Sequence, residues 1–167
     1  KIFLNKNKNI GLGHSRLSVI DTSNFGNQPM FDITGNYVII YNGEVYNFEY
    51  LKKKYLNKVN FKSSSDTEVI LELYKIFKSK TPSMLEGMFA FAIYDMNSDD
   101  LFIARDQMGI KPLYIYMNEN EFYFSSEFKS FLEIEGFDKS IDYSNLSNHL
   151  VFLRSNNRGT IFKKVKK

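Results

Sequence analysis

The chain has 167 residues, 43% hydrophobic and 16% aromatic. That is enough for one domain with a real core and unlike a disordered segment. A net charge of +3, dispersed along the sequence, is too mild to indicate nucleic acid, and the absence of cysteine excludes disulfides, thiolate metal sites and a thiol nucleophile within these residues. No apolar run approaches the ~18 residues of a membrane span, no secretory leader is read, and His14 and His149 are too far apart in sequence to form a metal-ligand motif.

Residues 1–9 mix Lys and Asn around Ile2, Phe3 and Leu4 and read as a strand end followed by a loop. Residues 10–14 alternate apolar with small side chains, as in a strand packed closely on a neighbour, and residues 16–21 continue it. Residues 22–30, rich in Ser, Asn, Gly, Gln and Pro, read as a loop. Gly35-Asn36 marks a hairpin turn before the β-branched strand that opens with Tyr37-Val38-Ile39-Ile40. A first helix covers about residues 46–57; Lys52, Lys53 and Lys54 form its solvated face.

A second helix starts near Asp66, where Ser65 and Glu68 have the spacing of a capping box and Val69, Ile70, Leu73, Tyr74 and Phe77 have helical period. Residues 88–95 are an almost unbroken apolar run, the sign of a strand covered on both faces. A turn at 97–100 leads into a return strand over 101–104. Residues 105–114 form a structured loop. A strand over 122–126, a short helix over 127–132, a helix over 143–152 and a last strand over 161–165 complete the chain. At least six short strands, mostly in hairpin order, with two or three helices make an α+β fold with a mainly antiparallel pair of sheets. There is no internal repeat.

Three places invite a chemical reading. Asn42-Gly43 lies where the strand gives way to the helix, so it is expected at a sharp corner. There Gly allows positive φ or a close approach, and an Asn side-chain N–H beside a free backbone N–H can stabilise a developing negative oxygen. The simpler reading is that Asn-Gly is a good turn pair. Arg16 stands among residues that read as buried and must be paired or bind something; an ion pair with Asp21 or Asp32 is the structural alternative. Asp66 either complements the helix dipole or holds a ligand ammonium.

Five motifs then stand in order: Gly13-His14-Ser15-Arg16-Leu17-Ser18, Tyr41-Asn42-Gly43-Glu44-Val45-Tyr46-Asn47, Ser65-Asp66-Thr67-Glu68-Val69, Gly87-Met88-Phe89-Ala90-Phe91-Ala92, and Ala104-Arg105-Asp106 with Gly109-Ile110-Lys111-Pro112-Leu113-Tyr114. Together they resemble the N-terminal, class-II glutaminase domain of glutamine-hydrolysing asparagine synthetases, from about Gly11 to the end. The resemblance implies an αββα four-layer sandwich of the N-terminal-nucleophile hydrolase type, here incomplete. It implies one domain over 1–167, with its core at about 10–135 and residues 136–167 leading towards a C-terminal synthetase domain.

In that family an N-terminal cysteine attacks the side-chain amide of glutamine, a thioester forms, and ammonia passes to the synthetase domain, where it attacks a β-aspartyl-AMP. Carried over by position, Arg16 resembles the arginine that pairs with the α-carboxylate of glutamine, a task suited to a planar guanidinium. The backbone of Leu17, Ser18, Val19 and Ile20 resembles the segment lining that end. Asn42 and Gly43 resemble the oxyanion hole, and Glu44 and Asp66 the pair that holds the α-ammonium. The resemblance implies no cofactor in this domain, with ATP and Mg assigned to the synthetase domain. Its partners are glutamine, that domain and a second copy in a homodimer; no nucleic acid or membrane is expected, and the location is cytoplasmic.

The family's opening Cys-Gly-Ile and His-Arg-Gly-Pro-Asp segments are not matched here, and Ser15 stands where many members have arginine. The sequence is therefore expected to be truncated at its N-terminus, less stable without the strand that would pack on Gly11, and inactive as a glutaminase by itself. Two further readings stand beside this one: an amidotransferase with another acceptor, such as a sugar in surface-polysaccharide synthesis, and a glutamine-binding pseudo-enzyme without a nucleophile.

Overall fold

The computed structural model describes residues 1–15, 26–152 and 159–167. They form two compact units, Lys1–Lys111 and Pro112–Lys167. The expectation of an α+β fold with antiparallel sheets is borne out: the described residues contain nine strands in three antiparallel sheets and three α-helices.

In the first unit β1 (Ile2–Leu4) and β2 (Gly11–Gly13) pair as a two-stranded ribbon. A four-stranded sheet follows in the order β3 (Met30–Phe31), β4 (Tyr37–Val45), β5 (Gly87–Asp95) and β6 (Asp100–Arg105). Two features differ from the sequence expectations. Met30 belongs to a short strand rather than a loop, pairing with Ile39. Asn42 and Gly43 are not a corner; they lie inside β4, opposite Ala90 and Phe89, and the chain turns only at Tyr46-Asn47 before α1 (Phe48–Tyr55).

Period-two alternation sorts the two long strands into faces. Ile39, Tyr41 and Val45 of β4 and Phe89, Phe91 and Ile93 of β5 join the core formed with α1 and α2 (Asp66–Phe77). Val38, Ile40, Asn42 and Glu44 alternate with them and lie on the opposite face, beside Tyr94, Ala92, Ala90 and Met88. The apolar run of β5 is buried on both faces, as its composition required. Helix α2 supplies Ile70, Leu71 and Leu73, all fully buried, each contributing about 1.5–3 kcal/mol of burial.

The cap of α2 is half a capping box. Ser65 Oγ accepts from the Thr67 N–H at 3.1 Å. Glu68, however, takes the Lys62 and Ser63 N–H groups of the preceding loop instead of reaching back to Ser65. At the β3–β4 turn Asp32 accepts from the Thr34, Asn36 and Tyr37 N–H groups, and Gly35 takes the positive φ that the turn needs. Helix α2 gives way to a 3₁₀ stretch, Lys78–Met84.

In the second unit β8 (Phe122–Ser125), β7 (Tyr114–Met117) and β9 (Val165–Lys166) form the third sheet, around a small core of Tyr116, Phe131, Phe137 and Val165. The expected short helix is a 3₁₀ stretch, Phe128–Glu133. Helix α3 runs over Tyr143–Phe152, as its sequence predicts.

Candidate functional site

The end of β4 beyond its pairing with β3 carries Asn42, Gly43 and Glu44, and Asp66 of α2 lies beside it at Val45. Which edge each main-chain group faces follows from the ladder. The Phe89 N–H donates to Asp106 Oδ2 at 3.2 Å, and its carbonyl accepts from the Asp106 N–H at 2.8 Å, so Phe89 directs its main chain towards β6. Gly43, directly opposite Phe89, is then in a non-hydrogen-bonded pair, and its N–H points away from β5. Its neighbours at alternate positions agree. The Tyr41 N–H donates to Gln28 Oε1 at 2.6 Å, and the Val45 N–H donates to Asp66 Oδ2 at 3.0 Å.

The reason for glycine here is close approach, not positive φ. A Cβ on Gly43 would lie 2.3 Å from the Met88 carbonyl oxygen and 2.7 Å from the Phe89 Cα. No larger residue fits unless β4 and β5 move apart.

Asp66 opens α2 and is buried, with 3% exposure. Its Oδ2 accepts from the Tyr41 hydroxyl at 2.7 Å as well as from Val45. The other buried acids are compensated in full view. Asp32 and Glu72 share Lys75, Asp95 pairs with Lys78, and Asp106 takes three backbone N–H groups. Among the described residues no Lys, Arg or His pairs with Asp66. Burial first, and the Asp66 charge second, push the Tyr41 hydroxyl well above its ordinary pKa, so it remains a donor.

Asn42 and Glu44 are half-buried on the face opposite α2. The fold thus brings Asn42, Gly43, Glu44 and Asp66 to one end of β4. Arg16, Leu17, Ser18, Val19 and Ile20 lie outside the described residues, as does Asp21. The ion-pair alternative that named Asp32 as partner has another cation in place: Lys75 Nζ lies 3.0 Å from Asp32.

Tyr41, His14 and Gln28 carry structure that residue-by-residue reading did not assign. His14 Nε2 lies 3.0 Å from the Tyr41 carbonyl oxygen, which can only accept, so Nε2 carries the proton. With Gln28 on its N–H and Asp66 on its hydroxyl, Tyr41 is held at three points. In the sequence these residues show only as a tyrosine inside the Tyr41–Asn47 motif and as polar residues bordering apolar ones.

The chain belongs to the glutamine amidotransferase domain family, whose sequence profile matches residues 2–167. It is 42% identical over 126 residues to amidase chry2 of Gibberella zeae, covering 75% of this chain and 19% of that protein. It is 41% identical over 146 residues to asparagine synthetase [glutamine-hydrolyzing] 1 of Bacillus subtilis, covering 87% and 23% respectively. Against asparagine synthetase B [glutamine-hydrolyzing] of Escherichia coli the identity is 40% over 124 residues, covering 74% and 22%. The chain therefore spans about a fifth to a quarter of these relatives' length, and in them such a domain is part of a larger protein. Among the described residues no helix is long and apolar enough to cross a membrane, and no group of three His, Asp or Glu could hold a metal ion.

Proposed function

We propose that the chain is the glutamine-binding part of a glutamine-hydrolysing asparagine synthetase, which uses the released ammonia to convert aspartate to asparagine with ATP. The observation that carries this reading is Asp66: a buried carboxylate with no cation among the described residues, hydrogen-bonded to the β4 edge that directs the Gly43 N–H away from β5. A buried anion without a counter-charge is costly, and the α-ammonium of glutamine supplies one.

Asp66 and Glu44 take the ammonium, and Arg16 takes the α-carboxylate, beside the backbone of Leu17, Ser18, Val19 and Ile20. The Asn42 amide and the Gly43 N–H receive the side-chain amide oxygen and stabilise it as negative charge develops. The attacking thiol of the family's chemistry is not among these residues, which contain no cysteine; alone, they bind glutamine without hydrolysing it. ATP and Mg are assigned to a synthetase domain of the same protein, which is the partner in the cytoplasm, with a homodimer as the assembly.

The test uses the complete reading frame that encodes these residues. Ammonia release from glutamine is expected, together with asparagine formation from aspartate and ATP. Arg16→Ala is expected to reduce release severely, and equal release by both proteins overturns the role of Arg16. A second reading is favoured by the similarity to amidase chry2, a relative not named as an asparagine synthetase. Under it glutamine is hydrolysed in the same way but the acceptor is not aspartate, and glutaminase activity without asparagine formation is the expected result.

A further inference from the structure

The Tyr41 hydroxyl is more than core filling. Tyr41 is 5% exposed and belongs to the main core, where phenylalanine would fill the same space. What phenylalanine would lack is the 2.7 Å bond to Asp66 Oδ2. The Val45 N–H reaches the same oxygen at 3.0 Å. Two donors on one oxygen fix the rotation of the carboxylate and leave the lone pairs of Oδ1 as its remaining accepting direction.

The donor itself is anchored. The Tyr41 N–H is held by Gln28, and its carbonyl oxygen by His14. Tyr41 and Gly43 are two residues apart on one strand, about 7 Å along it. The orientation of the carboxylate and the position of the outward N–H are therefore set by the same short piece of β4.

We propose that Tyr41 is a positioning residue for amino-acid recognition: its hydroxyl turns the Asp66 carboxylate so that Oδ1 receives the ligand's α-ammonium while the side-chain amide lies at Gly43. Tyr41 does not touch the ligand and transfers no proton. It acts only through Asp66, and its effect is confined to ligands that carry an α-amino group. This inference rests on the glutamine reading above.

The test compares L-glutamine with glutaramate, the same molecule without the α-amino group, by the kcat/KM of ammonia release on the protein encoded by the complete reading frame and on its Tyr41→Phe and Asp66→Asn variants. Melting temperature is recorded for each. Tyr41→Phe is expected to lower kcat/KM for glutamine about tenfold and leave that for glutaramate unchanged, the size of one misdirected charge-assisted bond. Asp66→Asn is expected to lower the glutamine value at least as much, again sparing glutaramate. Any loss of folded protein lowers both values equally and cancels in their ratio. If Asp66→Asn loses glutamine selectively while Tyr41→Phe does not, the role of Tyr41 is overturned and the glutamine reading stands. If Tyr41→Phe lowers both values alike, Tyr41 is structural only. If the unaltered protein fails to prefer glutamine over glutaramate, the ammonium site at Asp66 is wrong and this inference falls with it.

Discussion

Replacing Gly43 with alanine tests the close packing of β4 on β5. The new Cβ would meet the Met88 carbonyl oxygen at 2.3 Å, the Phe89 Cα at 2.7 Å and Tyr41 Cε2 at 2.9 Å, where ordinary contact begins near 3.4 Å. The two strands must separate by roughly 1 Å at Met88. Overpacking that moves backbone costs about 1–3 kcal/mol, and two of the three obstructing atoms are main chain, so the upper end applies. A domain of this size loses about 2–4 °C of Tm per kcal/mol, which gives a fall of roughly 6–12 °C. The assay is a thermal melt followed by circular dichroism, with Gly13→Ala as control. A Cβ at Gly13 has nothing within 4 Å, so that variant is expected to stay within about 0.5 kcal/mol of the unaltered chain. If Gly43→Ala melts within about 2 °C of the control, the strand separation argued here is not required and the reasoning is refuted.

Other consequences are as definite. Lys75 bridges Asp32 at 3.0 Å and Glu72 at 2.9 Å, so Lys75→Met leaves two buried carboxylates without their cation; a loss of about 3 kcal/mol in urea unfolding is expected. Burial by itself would raise the pKa of Asp32, but the Thr34 hydroxyl, the Tyr37 and Thr34 N–H groups and Lys75 outweigh it and hold the value at about 2. A depressed carboxylate pKa contributes stability that is fully present above the ordinary carboxylate range and lost as pH falls through the folded value. The chain is expected to lose roughly 1–2 kcal/mol from this group between about pH 4 and pH 2, screening included, and Asp32→Asn is expected to flatten that part of an acid titration. Ser65→Ala removes the cap on the Thr67 N–H and is expected to cost about 1 kcal/mol in the same unfolding assay.

Much of the architecture could be read from period alone. The boundaries of α3, the start of α2 at Asp66 and the doubly covered strand over 88–95 follow from patterns that local physics enforces. Three things were hidden because their causes are not local. The Asn-Gly pair suggested a corner, but nothing in seven residues shows that β5 will lie close enough to demand a missing Cβ. Glu68 has the spacing of a capping box, yet the loop at 62–63 competes for its carboxylate and wins. The partners of Tyr41 are 13, 25 and 27 residues away in sequence, so its three-point anchoring emerges only once the chain is folded. Met30–Phe31 is too short a strand for any alternation to announce it. The chemical types needed for an amino acid were legible as motifs, whereas the absence of a described cation beside Asp66 was not.

Glutamine is proposed to lie along the edge of β4 that faces away from β5, beyond β3. The most direct test is an amide-resolved NMR titration of the isotope-labelled 167-residue chain with L-glutamine. The largest shifts are expected at the Gly43 and Val45 N–H groups, saturating together. Saturable shifts confined to residues outside β4 and α2, with Gly43 unmoved, would contradict this placement.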